Sequence, residues 1–405
     1  MISAAEARAF VLESCARVHP KALPLNDVLG CATSVPLDAP EDVPPFDNTA
    51  MDGYAVRAVD TVGASAATPV RLDVAGLLPA GAPPTIEVAA GRAVRIMTGA
   101  AMPPGADAVV MVEETEAADD GTVLIRLEVA AGDAVRRAGS DVRVGERVFE
   151  PQTVIGPAHL GVLASLGFAR VPVYPRARVG VISTGDELVE GGGPLAPGQI
   201  RESNREMLLA LVDQANCIPV DLGLARDDKD EIADVFTRGA AECDALISSG
   251  GVSMGDFDLV KVVLDEIGDM RWMQIAIKPA KPFAFGLIGE RRTPVFGLPG
   301  NPVSSLVSFE LFARPALRQM MGHADIDRPR VIAVANADLR RGFDGKTHYQ
   351  RVTGHFAADG RYHVAPVVAQ GSHQLAATAS ATALVVLPDG DGVAKGSDVP
   401  ALLLI

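Results

Sequence analysis

The chain is 405 residues long, too long for a single hydrophobic core, so two to four domains are expected. It is 48% hydrophobic and 21% charged, the balance of a globular protein, and no apolar run reaches the ~18 residues of a membrane span, which argues against a membrane partner. With 36 basic residues against 51 acidic ones the net charge is −15, and no basic stripe interleaved with aromatics offsets it, which argues against nucleic acid.

An anionic ligand must then be held by local groups, because the overall field repels it. The opening stretch MISAAEARAF carries Glu6 and Arg8 where a secretory signal needs an apolar core. Cys15, Cys31, Cys217 and Cys243 form no C-x-x-C pair. A cytoplasmic protein with reduced thiols is the expectation.

In chain order, Ser3 and Glu6 make a capping box ahead of a first helix with apolar Ala9, Phe10, Leu12 and Val18. A Pro-rich acidic segment follows from Pro36 to Val56, and from about 57 to 150 the pattern predicts short strands broken by Gly and Pro. A short helix is expected within 156–168. The middle of the chain then alternates apolar strands (RARVGVIS, CIPVDLG, DALISS) with helices capped by Ser203 and Glu206 and by Asp228 and Glu231, followed by DLVKVVLDEIG. That alternation predicts βαβ units and a mostly parallel sheet covered on both faces. MRWMQIAI, a hairpin around Gly289-Glu290, the strand TPVFGL and a long helix from Pro302 complete this region near Gly322. From 326 onward RVIAVANADL, RYHVAPVV, ATALVVLP and DVPALLLI predict a small β-barrel or sandwich.

Ligands of parallel α/β sheets bind outside the carboxyl ends of the strands. Four unusual segments fall at such places: STGDEL (183–188), SSGGVSMGDFD (248–258), KPAKP (278–282) and LPGNPVSS (298–305). In the last, Asn301 and Pro302 suit a helix start, which also offers N–H groups and a positive dipole end to an anion. Lys278 and Lys281, on a proline-stiffened loop, suit an oxyanion. Carboxylates at the same rim (Asp186, Glu187, Asp256, Asp258) suit Mg²⁺, although Asp258 also reads as a helix cap. Gly251 to Gly255 spells G-x-S-x-G, but a hydrolase elbow runs its strand straight into the serine, whereas here Ser248, Ser249, Gly250 and Gly251 intervene. Ser253 is therefore read as a binding residue. No P-loop is present, since Arg340 stands where one needs its first glycine before GKT at 345–347.

Seven segments in this order, PPFDNTAMDGYAV, RIMTGAAMPPGADAVVMVEE, ISTGDELV, GQIRESN, SSGGVSMGDFD, KPAKPFAFG and LPGNPVSS, make the chain resemble the molybdopterin molybdenumtransferases, the MoeA family that includes the E domain of gephyrin. The resemblance implies a multi-domain α/β plus β fold. Its parts would be an elongated N-terminal dimerisation domain (1–42 and 140–174), a β-rich insertion (43–139), a three-layer α/β molybdopterin-binding domain (175–325) and a C-terminal β-barrel (326–405). It implies insertion of molybdate into adenylylated molybdopterin with release of AMP and help from Mg²⁺. It also implies a homodimer with shared active sites, with acceptor apo-enzymes of the cofactor as further partners.

Residue by residue, the resemblance makes Asp52, Thr98, Glu187, Asp228 and Asp256 catalytic candidates, with Glu187, Asp256 and Asp258 for the metal. Ser249, Gly250, Gly251, Ser253, Lys278, Lys281, Pro282, Pro299, Gly300, Asn301 and Ser304 become substrate-binding candidates, with Arg351 and Ser372 added from the barrel. Asp47 is expected only to shape its turn. Molybdopterin adenylyltransferase, a scaffold role and a serine hydrolase stand as alternatives. The family usually has KPGKP, so Ala280 implies that this loop does not need positive φ there.

Overall fold

Ser3 and Glu6 close the capping box that the sequence predicts: Glu6 N donates to Ser3 Oγ at 3.1 Å and Ser3 N to Glu6 Oε2 at 2.7 Å. The computed structural model describes residues 1–251 and 259–404 of the chain. The helix begun by that box, α1 (Ala4–Ser14), buries Ala7 and Val11. Phe10 sets its ring edge-on to Phe285 at 5.8 Å, and just ahead of the helix Ile2 N donates to Gln274 O at 2.9 Å. The chain separates into two compact units, one of Met1–Ser34, Gln152–Ile155 and Val171–Ile405, the other of Val35–Pro151 and Gly156–Arg170.

The second unit holds a six-stranded sheet of β1 (Gly53–Val56), β2 (Val70–Leu78), β3 (Arg92–Ile96), β4 (Ala108–Met111), β5 (Thr115–Ala117) and β6 (Thr122–Ile125), in the order β4-β1-β3-β2-β6-β5. In β6, Val123 and Ile125 are buried while Thr122 and Leu124 are less so, the period of two that one covered face requires. Helix α2 (Pro157–Ser165), with Pro157 at its first turn, completes this unit.

The other unit is built on a second six-stranded sheet. Its elements are β7 (Arg178–Thr184), α3 (Asn204–Gln214), β8 (Ile218–Ala225), α4 (Lys229–Glu242), β9 (Ala245–Ser249), α5 (Leu259–Ile267), β10 (Gly268–Gln274), β11 (Ile277–Lys278), β12 (Pro282–Ile288) and β13 (Thr293–Leu298). The order is β8-β7-β9-β13-β12-β10, parallel from β8 to β13 and antiparallel over β12 and β10. Apolar runs stay continuous because both faces are covered. Val179, Val181, Ala245 and Ile247 point to one core with Leu208, Leu211 and Val212 of α3. Ile182 and Leu246 point to the other, with Phe236 of α4 and Val260 and Leu264 of α5. Asp228 caps α4 as expected, its Oδ1 accepting from Asp230 N and Glu231 N at 3.0 and 2.9 Å. The expected cap of α3 is different: Ser203 makes no capping bond, and Glu202 Oε1 takes Arg205 N at 2.8 Å, held in place by Ser183 Oγ at 2.9 Å.

The helix from Pro302 is α6 (Pro302–Ser308), a π turn over Phe309–Ala313, and α7 (Arg314–Met320). Just beyond it lies His323, buried, with neither ring nitrogen bonded among the described residues. Burial, reinforced by Arg318 and Arg314, pushes its pKa down from 6.5 to about 4. The unfolded chain takes up this proton below 6.5 and the folded chain resists until about 4. His323 is therefore without cost above pH 6.5 and drains stability progressively as pH falls from 6.5 to 4. The variant His323→Phe is expected to lose that part of the pH dependence in urea midpoints measured across this range. An unchanged slope overturns the assignment.

The tail forms β14 (Arg330–Ala335), β15 (Thr347–Phe356), β16 (Tyr362–Pro366), the short helix α8 (Leu375–Thr378), β17 (Ala383–Leu387) and β18 (Asp398–Leu403). Strands β15-β16-β14-β18-β17 follow one another, and β17 pairs back to β15, closing a five-stranded barrel. Strand β15 is absent from the sequence expectation. Strand β11 adds to the barrel alongside β15, with Ile277 opposite Thr347 and Lys278 opposite His348. No helix among the described residues is long and apolar enough to cross a membrane.

Candidate functional site

Parallel register brings the ends of three strands level: Ser183 pairs with Ser249 and Ser249 with Leu298. The loops after β7, β9 and β13 therefore leave the sheet on one rim. KPAKP reaches the same rim by another route than expected. It precedes β12, which runs antiparallel, with Ala284 opposite Gly297 and Gln274 opposite Pro282, so the start of β12 lies beside the end of β13.

One cleft on this rim, of about 400 Å³, is lined by Thr184, Glu187, Glu202, Ser249, Gly250 and Asn301, among others. The glycines of its loops have physical reasons. Gly250 and Gly251 sit at φ +94° and +67°, and a Cβ on Gly251 would lie 2.4 Å from Cβ of Val260 in α5. A Cβ on Gly300 would come within 3.8 Å of Gly250 Cα, so the SSGG and LPGNP loops meet. Ser253, Asp256 and Asp258 lie outside the described residues.

A second cleft, of about 730 Å³, is lined by Lys278, Lys281, Pro282, Ser304, Lys346 and Ser372, among others. Lys278 and Lys281 are exposed, and neither ammonium enters an ion pair among the described residues. In a chain of net charge −15, cations that form no ion pair among the described residues are the local attraction an anion requires. Ala280 corrects the expectation drawn from it, since its φ is +77°. Left-handed backbone costs a residue with a Cβ roughly 1–2 kcal/mol. The Ala280 methyl is buried in the core shared with Ile277, Phe283 and Val303, and that packing offsets the strain.

The barrel contributes differently from expected. Arg351 is buried at 1% exposure, its Nη1 donating to Gln374 O and Thr378 Oγ1 and its Nη2 to Ala369 O and Gly371 O, at 2.6–3.1 Å. Its guanidinium fixes the loop that carries Ser372, in place of the direct anion contact the resemblance implied. That loop in turn covers part of the α6 start: Val303 N donates to Ser372 O at 3.1 Å, so this helix N-terminus is less open than the sequence suggests. Pro299, Gly300 and Asn301 form the approach to that helix, and Asn301 stands at its N-cap without a side-chain cap bond.

The remaining carboxylates fall in three settings. Glu187 is exposed on the first cleft. Asp228 is engaged as the α4 cap. In the second unit, Asp52 Oδ1 accepts from Thr98 N and Thr98 Oγ1, both at 2.7 Å, and these bonds hold its pKa below the usual carboxylate value. Asp47, expected only to shape its turn, instead binds a segment 90 and 91 residues further along, accepting from Arg137 Nη1 at 2.6 Å and Ala138 N at 2.8 Å. Sequence reasoning missed Glu202 and Asn204, which line the first cleft from the start of α3. Their only signal was the motif GQIRESN, which belongs to the resemblance but from which only Ser203 was assigned a role, as a helix cap.

Family models match three successive stretches: the MoeA N-terminal region (domain I and II) over residues 2–167, a probable molybdopterin binding domain over 180–319, and the MoeA C-terminal region (domain IV) over 335–404. The chain is 41% identical over 396 residues to molybdopterin molybdenumtransferase 2 of Mycobacterium tuberculosis, covering 96% of each. It is 40% identical over 363 residues to the molybdopterin molybdenumtransferase of Haemophilus influenzae, covering 89% of this chain and 88% of that one. A crystal structure of the molybdopterin biosynthesis MoeA protein of Pyrococcus horikoshii matches with a TM-score of 0.82 at 31% identity, covering 100% of this chain and 99% of that one. With likeness of this extent along its whole length, the chain belongs to the MoeA family of molybdopterin molybdenumtransferases.

Proposed function

We propose that the chain acts in molybdenum cofactor biosynthesis by inserting molybdate into adenylylated molybdopterin, releasing AMP with assistance from Mg²⁺. The observation that carries this reading is that two clefts of different chemistry share the first turn of α6. Asn301 and Pro302 line the glycine-loop cleft, and Ser304, two residues on, lines the lysine cleft. A phosphate-bearing substrate and a tetrahedral oxyanion can thus be handled side by side. The glycine loops and Ser249 orient the first, and Lys278, Lys281 and Ser304 hold the second. Arg351 supports Ser372 from beneath. Catalysis on this reading is positioning and charge neutralisation at the cleaved phosphate bond, with no covalent enzyme intermediate.

The residues present fit Mg²⁺, which takes one or two carboxylates and fills its shell with water and phosphate oxygens. Glu187 offers an exposed carboxylate on the first cleft, and Glu202 Oε2 is a buried acceptor without a donor among the described residues. Glu187, with Asp256 and Asp258, would hold the ion, which would neutralise phosphate charge. Asp228 would act at the same rim through the carboxylate oxygen that its capping role leaves over.

Purified protein given adenylylated molybdopterin, molybdate and Mg²⁺ is expected to release AMP in proportion to molybdate consumed, and no release rejects the reading. We also read the protein as a homodimer, each site completed by Asp52 and Thr98 of the partner chain. Mixing Asp52→Ala with Asp256→Asn chains then restores about a quarter of wild-type activity, since half the dimers are mixed and each has one whole site. No recovery in verified mixed dimers rejects sharing.

A further inference from the structure

Helix α3 begins at Asn204, whose side chain is 8% exposed and points into the rim. Its Nδ2 donates to Ser249 Oγ at 2.7 Å and to Gly300 O at 2.7 Å. A carbonyl oxygen only accepts, so Gly300 O fixes which end of the amide faces the loops, and both amide protons are then used. Two consequences follow from elementary bonding. The loop after β9 and the loop after β13 are tied to each other through one side chain that belongs to neither. Ser249 Oγ, being an acceptor from Asn204, retains its own proton, and a hydroxyl so placed turns that proton away from the amide. Ser249 lies at the end of β9 and, like Asn204, lines the glycine-loop cleft.

We infer that Asn204 is the positioning residue of this cleft: it sets the spacing of the two anion loops and orients the Ser249 hydroxyl as a donor to the phosphate-bearing substrate. The inference rests on the functional reading above and adds to it a residue that acts through Ser249 and Gly300. Among the described residues the two loops also meet through Gly250 N, which donates to Leu298 O at 3.1 Å, and the amide adds a side-chain tie at Ser249 and Gly300, where glycine leaves the backbone pliable. A core asparagine serving stability alone would lower the amount of folded protein, and the protein that did fold would bind as well as before.

Equilibrium binding of adenylylated molybdopterin without molybdate, and steady-state AMP release, separate these roles. Asn204→Ala, and Asn204→Asp, which keeps the shape and removes both donors, are expected to weaken binding about tenfold or more. The larger change should fall in KM, with kcat altered less. Ser249→Ala is expected to weaken binding as well. The double variant Asn204→Ala/Ser249→Ala should bind no worse than Asn204→Ala within about a factor of two, because the hydroxyl is already misdirected. Additive losses in that cycle, or wild-type affinity in Asn204→Asp, overturn the inference. Should the Asn204 variants fail to fold, Ser249→Ala decides alone, and unchanged affinity there rejects the proposal. A wild-type protein that binds no adenylylated molybdopterin rejects the functional reading and this inference together. Binding by wild type with no loss in the variants rejects only the inference.

Discussion

Replacing Glu310 with alanine is expected to destabilise the unit built on the α/β sheet and barrel by about 3–5 kcal/mol, the usual cost of leaving a buried charge without its partner. Glu310 is 2% exposed, in the π turn between α6 and α7. Arg328 grips its carboxylate with two nitrogens, at 2.9 and 2.8 Å, while Arg314 Nε stands 3.8 Å away. Burial, with repulsion from Arg328, pushes the Arg314 pKa down to about 10 even with Glu310 attracting the charge. Without the carboxylate, the two guanidinium groups keep, among the described residues, only the neutral acceptors of Gln214, its backbone oxygen for Arg314 and its Oε1 for Arg328. Replacing all three residues with apolar ones of similar volume removes the charges together and is expected to be near neutral. Urea unfolding with an unchanged slope in denaturant tests both. A Glu310→Ala variant within 1 kcal/mol of wild type would show that water reaches the arginines.

The second large effect concerns function. Lys281→Ala is expected to raise the molybdate concentration needed for AMP release by about tenfold or more, since a charge-assisted bond is worth roughly 1.5–3 kcal/mol. Lys281 lines the lysine cleft with its ammonium in no ion pair among the described residues, so its removal breaks none of the described ion pairs and should leave thermal stability in place. Binding of adenylylated molybdopterin should change much less, because the glycine loops belong to the other cleft. An unaltered molybdate dependence removes Lys281 from the oxyanion site. A matched loss for both ligands would mean that the two clefts act as one.

How much of this was legible beforehand depended on whether a cause was local. Strands β7 and β9 were readable because burial on both faces leaves unbroken apolar runs. The barrel strand β15 was not, since Arg351 and Val352 are buried in succession and His348, Gln350 and Thr353 break any period of two. Its pairing with β11, β16 and β17 supplies the order that its composition hides. Glycine, proline and asparagine marked the rim loops because those residues answer to backbone geometry near themselves. Asn204 was invisible for the opposite reason: its partners lie 45 and 96 residues further along. Ala280 misled because steric preference is a cost of about 1–2 kcal/mol, not a prohibition, and tertiary packing outweighed it.

The bond from Ile2 to Gln274 bears on how the chain is made. A ribosome adds roughly 5–20 residues per second, so about 15–50 s pass between the emergence of α1 and that of the strand it must join. Through that interval α1 lacks Phe285, the π turn and α7, which are still unmade. The intervening unit, Val35–Pro151 with Gly156–Arg170, has all its own residues much sooner. Vectorial synthesis thus completes the inserted piece first and leaves the amino-terminal helix waiting. Nascent chains halted before residue 275 should expose that helix to a protease, and full-length chains should protect it.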